Sequence, residues 1–328
     1  MERYFGPSQA AAARREGVAR VATIGFFDGV HRGHARVISQ LTAWAAECAA
    51  EPVIVTFDRH PQSIFGGHPP VPVVSLEHRL LLLERAGIRA TLVLEFDREL
   101  ATWEPERFVR DVLRGALGAR RLLLGYDGAF GRGRSGTFEY LEPRSAALGL
   151  ELRRVEELGE GGETISSTRI RSLLREASLD SAARLLGRPF SLVGRVVSGF
   201  GRGRELGFPT ANLDIGHAFL LPRGVYDVSA RLLGKDLADA EPGTMYAAVM
   251  NVGRAPTFDA ADDSSGEAFD PARDRVEVHL IDFDGDLYGD YLEVEVHARR
   301  RGEERFDSVD ALKRQIRNDV AARRRLEE

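Results

Sequence analysis

Apolar residues in the first half of the chain fall in short unbroken runs separated by segments of helical spacing, whereas in the second half they alternate with polar residues. Strand-like runs at 18–27 (VARVATIGFF), 52–57 (PVIVTF), 91–96 (TLVLEF), 121–125 (RLLLG) and 150–158 (LELRRVEEL) are interleaved with helical patterns at 34–50, 75–86, 105–115 and 140–148. Alternation of this kind predicts an α/β domain with parallel strands joined by helical crossovers. A helical segment at 168–187 closes this half, and Arg188-Pro189 marks a boundary. Beyond it the runs SLVGRVVSG, TANLDI, GVYDVSARLL, MYAAVMNVG, RVEVHLIDF and YLEVEVHA, each followed by turn residues, predict an antiparallel β-barrel or sandwich. An amphipathic C-terminal helix at 308–326 begins at the cap residue Ser308. The expected domains are 1–187 and 188–328, consistent with a length of 328 residues.

Composition narrows the class. A net charge of −5 argues against a general nucleic-acid binder, although Lys235 and Lys313 are the only lysines among 45 basic residues. Cys48 is the single cysteine, which excludes an intrachain disulfide and a cysteine-built zinc site and fits a reducing cytoplasm. No window has the roughly 18 apolar residues of a membrane helix, and the N-terminus lacks a signal-peptide core. The expectation is a cytoplasmic protein away from membranes, with room for a homo-oligomer.

The segment GFFDGVHRGH, 25–34, stands where the first strand gives way to a helix. Gly25, Gly29 and Gly33 allow the backbone to approach a ligand at a helix N-terminus, where free N–H groups and the dipole favour anions. His31 and His34, three apart, should share one face of the first helical turn and donate to phosphates. The tetrapeptide HRGH alone fits equally a glycine turn beside surface histidines; the order strand, glycine turn, helix is what favours phosphate. In ISSTRIR, Ser166, Ser167 and Thr168 offer hydroxyls and N–H groups at the next helix start and Arg169 a fork-shaped cation, or else they form a plain cap with solvated arginines.

In the second half, Gly199, Gly201 and Gly203 form a glycine-rich flap rather than a dinucleotide fingerprint, since no crossover helix follows. Thr210 and Asn212, two apart on one strand face, present oxygens that suit Mg²⁺. Val276, Val278 and Leu280 point to a core and leave Glu277 and His279 on the other face, where a carboxylate on the inner or rim face of a barrel can take a proton from a hydroxyl. The DFDGD run lacks the glycine of a calcium loop, because the sixth position from Asp282 is Leu287, so a β-turn through Asp284-Gly285 is expected. The acidic stretch 259–274 reads as a surface loop with no chemistry.

These motifs in this order, GFFDGVHRGH, TFDRHP, ISSTRIR, GRELGFPTANL, LPRGVYDV, NVGRAPTF, VEVHLIDFDGDLYG and RFDSVDALKRQIRND, resemble the bacterial bifunctional riboflavin kinase/FMN adenylyltransferase (FAD synthetase) family over about 18–319. The resemblance implies a Rossmann-like nucleotidyltransferase domain followed by a riboflavin kinase barrel. It implies the substrates riboflavin, FMN and ATP, with Mg²⁺. It places Gly25, Phe27, Asp28, Gly29, His31, Gly33 and His34 with Ser166, Ser167, Thr168 and Arg169 at the first nucleotide, and the Gly199–Gly203 loop, Thr210 and Asn212 at the second. Glu277 matches the base that activates the ribityl 5′-hydroxyl, and Asp58, His60, Asp127 and Arg301 match flavin-binding positions. Arg59 replaces a common proline, and the segment 297–306 is unusually basic. Gly128 stands where the family has an aromatic residue. It leaves two other readings: a kinase whose first half is impaired or takes another acceptor, and a non-catalytic flavin-binding regulator.

Overall fold

Strands without a polar face need cover on both sides. In the structure, a computed structural model that describes residues 1–66, 69–155, 159–160, 163–199, 201–217, 219–237, 243–254 and 274–326, the apolar runs form β2 (Arg20–Ile24), β3 (Glu51–Phe57), β4 (Ala90–Leu94), β5 (Arg121–Leu124) and β6 (Glu151–Arg154). The sequence pattern gave no sign of β1 (Glu2–Phe5), which pairs in parallel with β4 at the sheet edge. The order β1-β4-β3-β2-β5-β6 makes one parallel sheet, in which the chain reverses its direction of travel between β2 and β5. Ligands of such sheets sit outside the C-terminal strand ends at that reversal.

The crossovers carry α1 (Pro7–Ala12), α2 (Arg32–Glu47), α3 (Leu76–Arg85) and α4 (Pro105–Phe108), which runs on as a π-helix over Val109–Ala116. Two short helices, α5 (Phe138–Leu141) and α6 (Ser145–Leu148), replace the single one expected at 140–148. In α2, Ile38, Leu41, Trp44 and Ala45 recur at helical spacing and are buried, and the helix packs on β2 and β3. Two further strands, β7 (Gly159–Glu160) and β8 (Glu163–Thr164), pair antiparallel with each other. The expected strand end at 156–158 and positions 259–273 of the acidic stretch lie outside the described residues.

By packing, Met1–Pro70 and Arg79–Ser166 form one unit, and Val71–His78 and Ser167–Glu328 form the other. The helical segment expected at 168–187 is two helices, α7 (Ser167–Arg175) and α8 (Leu179–Leu186), broken where Ala177 takes φ 52°. Both pack with the second unit, whereas the sequence pattern sets the boundary after them. His78 is fully buried in that unit, with Nε2 at 3.3 Å from Ser191 Oγ and 3.7 Å from Glu293 Oε1.

The alternating runs become β9 (Phe190–Val197), β10 (Ala211–Asp214), β11 (Gly224–Gly234), β12 (Met245–Arg254), β13 (Asp274–Leu280) and β14 (Tyr291–Arg301) of a closed antiparallel barrel, order β10-β13-β12-β11-β14-β9. Its interior is filled from every strand, by side chains such as Val228, Met250, Val278 and Val294, none of them exposed at all. Each is worth about 1.5–3 kcal/mol for burial. A short helix, α9 (Arg202–Leu206), sits within the glycine-rich segment. Strand β13 pairs with β10 and β12 and not with β14, so Asp284-Gly285 is not a hairpin turn; the chain bends at Gly285 within a longer connection. The last helix, α10 (Val309–Arg324), is capped as expected, with Ser308 Oγ accepting from the Ala311 N–H at 3.2 Å.

Candidate active sites

The first site grows from the end of β2. Gly25 leads into a turn in which Phe27 (φ 55°), Gly29 (φ 76°) and Val30 (φ 40°) all have positive φ. Positive φ is costly for a β-branched residue such as Val30, and strain of this kind gathers at functional sites. A side chain at Gly25 would place its Cβ 2.9 Å from the Phe27 ring, so the glycine is a packing requirement. Asp28 is buried within the turn.

His31 is not on the helical turn, as the spacing suggested; it is the extended cap residue of α2 and accepts the His34 N–H on Nδ1 at 3.3 Å. A neutral imidazole that accepts on Nδ1 carries its proton on Nε2 and so donates from there. The rings of His31 and His34 nevertheless come together, stacked 3.7 Å apart at 15°. Gly33 is small because a Cβ there would lie 3.1 Å from the His31 ring.

A cavity of about 410 Å³ opens beside this turn at the strand ends. Of the residues assigned from sequence, Gly25, Phe27, His34, His60 and Asp127 line it. Phe57, Phe96, Phe108 and Phe130 add an aromatic wall that sequence reading did not assign. Asp58 does not line it: its carboxylate accepts from the Phe96 N–H at 2.9 Å and from Arg59 Nε at 2.9 Å. Burial alone would raise its pKa, but the hydrogen bonds from Arg59 and Phe96 outweigh burial and hold it below the ordinary carboxylate value. Gly128 closes a tight turn, donating to Gly125 O at 3.0 Å, and a Cβ there would meet Gly125 N at 2.8 Å. In this conformation, then, the loop itself excludes an aromatic at that position.

Two further residues shape the site. Arg79 is buried and donates to Phe26 O at 2.8 Å and Phe57 O at 2.5 Å, with its guanidinium 4.3 Å from the Phe26 ring. The sequence HRLLLLER gives no sign that this arginine turns inward. Thr23 is buried and lines the cavity, and its Oγ1 has no hydrogen-bond partner among the described residues. Ser166 precedes α7, while Ser167, Thr168 and Arg169 lie within its first turn; Thr168 and Arg169 are exposed.

The second site lies on the outer wall of the barrel. Glu277 faces away from the core valines, as the alternation predicts, and stands in register between Asn212 on β10 and Asn251 on β12. Gly199, Gly201, Gly203, Thr210, Asn212, Glu277 and Arg301 all line one cavity of about 520 Å³, closed on another side by α10. Two of the glycines fit tightly: a Cβ on Gly199 would fall 2.2 Å from Asn212 Nδ2, and one on Gly203 2.9 Å from Thr210 Oγ1. Two hard oxygen donors in a cradle only glycine leaves open suit a cation that keeps most of its ligands from water and phosphate.

His279, next along the same face as Glu277, donates from Nδ1 to Pro209 O at 2.8 Å and so ties the turn that presents Thr210. The Arg301 fork is held by Asp319 of α10, with Nη2 at 2.9 Å and Nε at 3.2 Å from Oδ2. Asn251, His279 and Asp319 were not assigned from sequence. Each lies inside one of the sequence motifs, Asn251 opening NVGRAPTF, His279 within VEVHLIDFDGDLYG and Asp319 ending RFDSVDALKRQIRND, but a motif does not say which neighbour a side chain meets.

Both halves of the chain match known families. The family model for FAD synthetase matches residues 14–169, and that for riboflavin kinase matches residues 186–326. The bifunctional riboflavin kinase/FMN adenylyltransferase of Pseudomonas fluorescens is 37% identical over 306 residues, covering 93% of this chain and 92% of its own. The Bacillus subtilis protein of the same name is 31% identical over 310 residues, covering 93% and 92%. A crystal structure described as a macrolide-efflux protein from Streptococcus pneumoniae covers 99% of both chains with TM-score 0.77 and 27% identity. Efflux is said of that protein, and the likeness in fold is what this chain shares. Among the described residues no helix is long and apolar enough to cross a membrane.

Proposed function

The chain belongs to the bifunctional riboflavin kinase/FMN adenylyltransferase family, and on that premise we propose that its two units make FAD in two ATP-dependent steps. In the barrel unit, the 5′-hydroxyl oxygen of riboflavin bonds to the γ-phosphorus of ATP, the bond to the β,γ-bridging oxygen breaks, and ADP leaves. Glu277 accepts the hydroxyl proton. In the sheet unit, a phosphate oxygen of FMN bonds to the α-phosphorus of a second ATP and pyrophosphate leaves.

The observation that carries the reading is the row Asn212–Glu277–Asn251 on one cavity wall. It sets a carboxylate beside an oxygen donor for a cation, which is what a hydroxyl-to-phosphate transfer requires; such transfers depend on positioning and charge neutralisation more than on covalent help. Thr210 and Asn212 would hold Mg²⁺, which when bound neutralises phosphate charge. Asn251 orients the hydroxyl chain, and the Arg301–Asp319 pair fixes α10 against the flavin end.

In the sheet unit the aromatic wall takes the flavin ring, and His31 and His34 donate to the phosphates, with Ser166 to Arg169 as the second phosphate segment. The tight Gly128 turn leaves the cavity walled by Phe108 and Phe130, packed 5.0 Å apart. A cytoplasmic location belongs to this reading, supported by the need for ATP and by a single free cysteine.

The test is incubation of the full chain with riboflavin, ATP and Mg²⁺ followed by chromatography of the flavins. FMN and then FAD are expected, and failure to form any FMN overturns the reading.

A further inference from the structure

The edge of the parallel sheet opposite the phosphate-binding turn carries a second concavity, of about 580 Å³. Arg120 immediately precedes β5, Leu148 ends α6 just before β6, and Arg14 lies between α1 and β2, so the cleft lies at the strand N-termini. Four arginines, Arg14, Arg110, Arg114 and Arg120, line it against one carboxylate, Glu106. This is an excess of positive charge in a chain whose net charge is −5. The Glu106 charge is already engaged: Tyr140 donates to it at 2.5 Å and Arg144 lies 3.5 Å away. Asp111 contacts Arg110 at 3.0 Å, but that pair is exposed and worth little.

Two of the guanidiniums are seated. Arg14 donates from Nη1 to Gly115 O at 3.0 Å, and Arg114 from Nη1 to Leu148 O at 2.9 Å. Each bond uses one of five donors on a planar fork. The seats are backbone: Gly118 (φ 67°) and Gly149 (φ 58°) would put a Cβ 2.9 Å and 2.7 Å from these guanidiniums. Arg110 and Arg114 project from the π-wound stretch Val109–Ala116. Such winding is rare in helices and frequent at functional sites.

We propose that this cleft binds a small molecule through a diphosphate or triphosphate group, at a site separate from both reaction centres. Guanidinium forks match phosphate geometry better than any other side chain. The volume lies in the range of about 300–1,000 Å³ usual for small-molecule sites, whereas an acidic protein partner would need a broad surface. A free oligophosphate, a nucleoside triphosphate and a dinucleotide share this chemistry.

Inorganic triphosphate is the probe, titrated calorimetrically into the full chain and into an Arg110→Glu/Arg120→Glu variant, with Arg110→Ala/Arg120→Ala as the milder second variant. Both substituted side chains are exposed in the native fold, and circular dichroism checks that the fold is kept. The variants are expected to lose one class of triphosphate site, or to bind it roughly tenfold more weakly, about 1.4 kcal/mol, while riboflavin phosphorylation and FMN adenylylation without added anion are unchanged. In the native chain, triphosphate should slow amide exchange across 109–118. Competition by ATP and by FAD then separates a nucleoside triphosphate from a dinucleotide as the occupant. Equal stoichiometry and affinity in native and variant chains, or no protection at 109–118, overturns the proposal.

Discussion

Glu277 and Asn212 stand directly opposite each other on paired strands β13 and β10, on the same barrel face. The proposed proton acceptor and the proposed cation ligand are thereby fixed by backbone register rather than by loop conformation. Glu277→Gln keeps the shape and removes the acceptor, so FMN formation should fall by about 10²–10⁴-fold. FAD formation from supplied FMN should persist. His31→Ala with His34→Ala should do the reverse, and chromatographic assay of each step would contradict separate sites if either variant lost both.

Gly199 has no room for a methyl group. Its Cβ would overlap the Asn212 side-chain amide at 2.2 Å, so either the glycine-rich segment or the Asn212 side chain must move. A displacement near 1 Å at a phosphate-handling group costs roughly 10²-fold. Gly199→Ala is therefore expected to lower riboflavin phosphorylation by about that factor and to shift its Mg²⁺ dependence upward, with the melting temperature little changed. Normal kinase kinetics in the variant would show that the segment does not bear on Asn212.

Asp58 gives a pH dependence with a definite sign. Its folded pKa lies below the unfolded value because the hydrogen bonds from Arg59 and Phe96 outweigh burial. The stabilisation is present above the unfolded pKa, near 3.9 for Asp, and is lost as pH falls through the still lower folded pKa. Asp58→Asn should thus be less stable than the native chain at neutral pH and converge with it on acidification, as followed by urea unfolding between pH 7 and about pH 3. A constant difference across that range would show that the ionised carboxylate is not what holds the turn.

Much of this architecture could be read before any coordinates. Unbroken apolar runs such as PVIVTF announced β3, and the alternation Val276, Val278, Leu280 placed Glu277 on the opposite face. What stayed hidden is what tertiary packing decides. β1 is four residues of mixed polarity, and only its pairing with β4 makes it a strand. The break between α7 and α8 falls at an alanine, which advertises no positive φ. Val71–His78 sits between two segments of the sheet unit yet packs with the barrel unit, where its terminal His78 meets Ser191 and Glu293. Arg79, its neighbour in sequence, is instead buried against Phe26 and Phe57 beside the glycine turn after β2, and an arginine in a helical run normally reads as surface.

Thr23 should show a conflict between stability and activity. A hydroxyl buried without a partner costs on the order of 1–3 kcal/mol, and Thr23 Oγ1, on the wall of the sheet-unit cavity, has none among the described residues. Valine has nearly the same shape and no hydroxyl, so Thr23→Val is expected to raise the denaturation midpoint. If the hydroxyl is kept for a substrate's polar edge, the same variant should raise KM in FMN adenylylation severalfold and leave riboflavin phosphorylation unchanged. Functional sites commonly retain groups that weaken the free protein in this way. A variant that is stabilised with unaltered adenylylation would place the flavin and the nucleotide elsewhere on the wall, and a destabilised one would show that the hydroxyl has a partner in the folded protein.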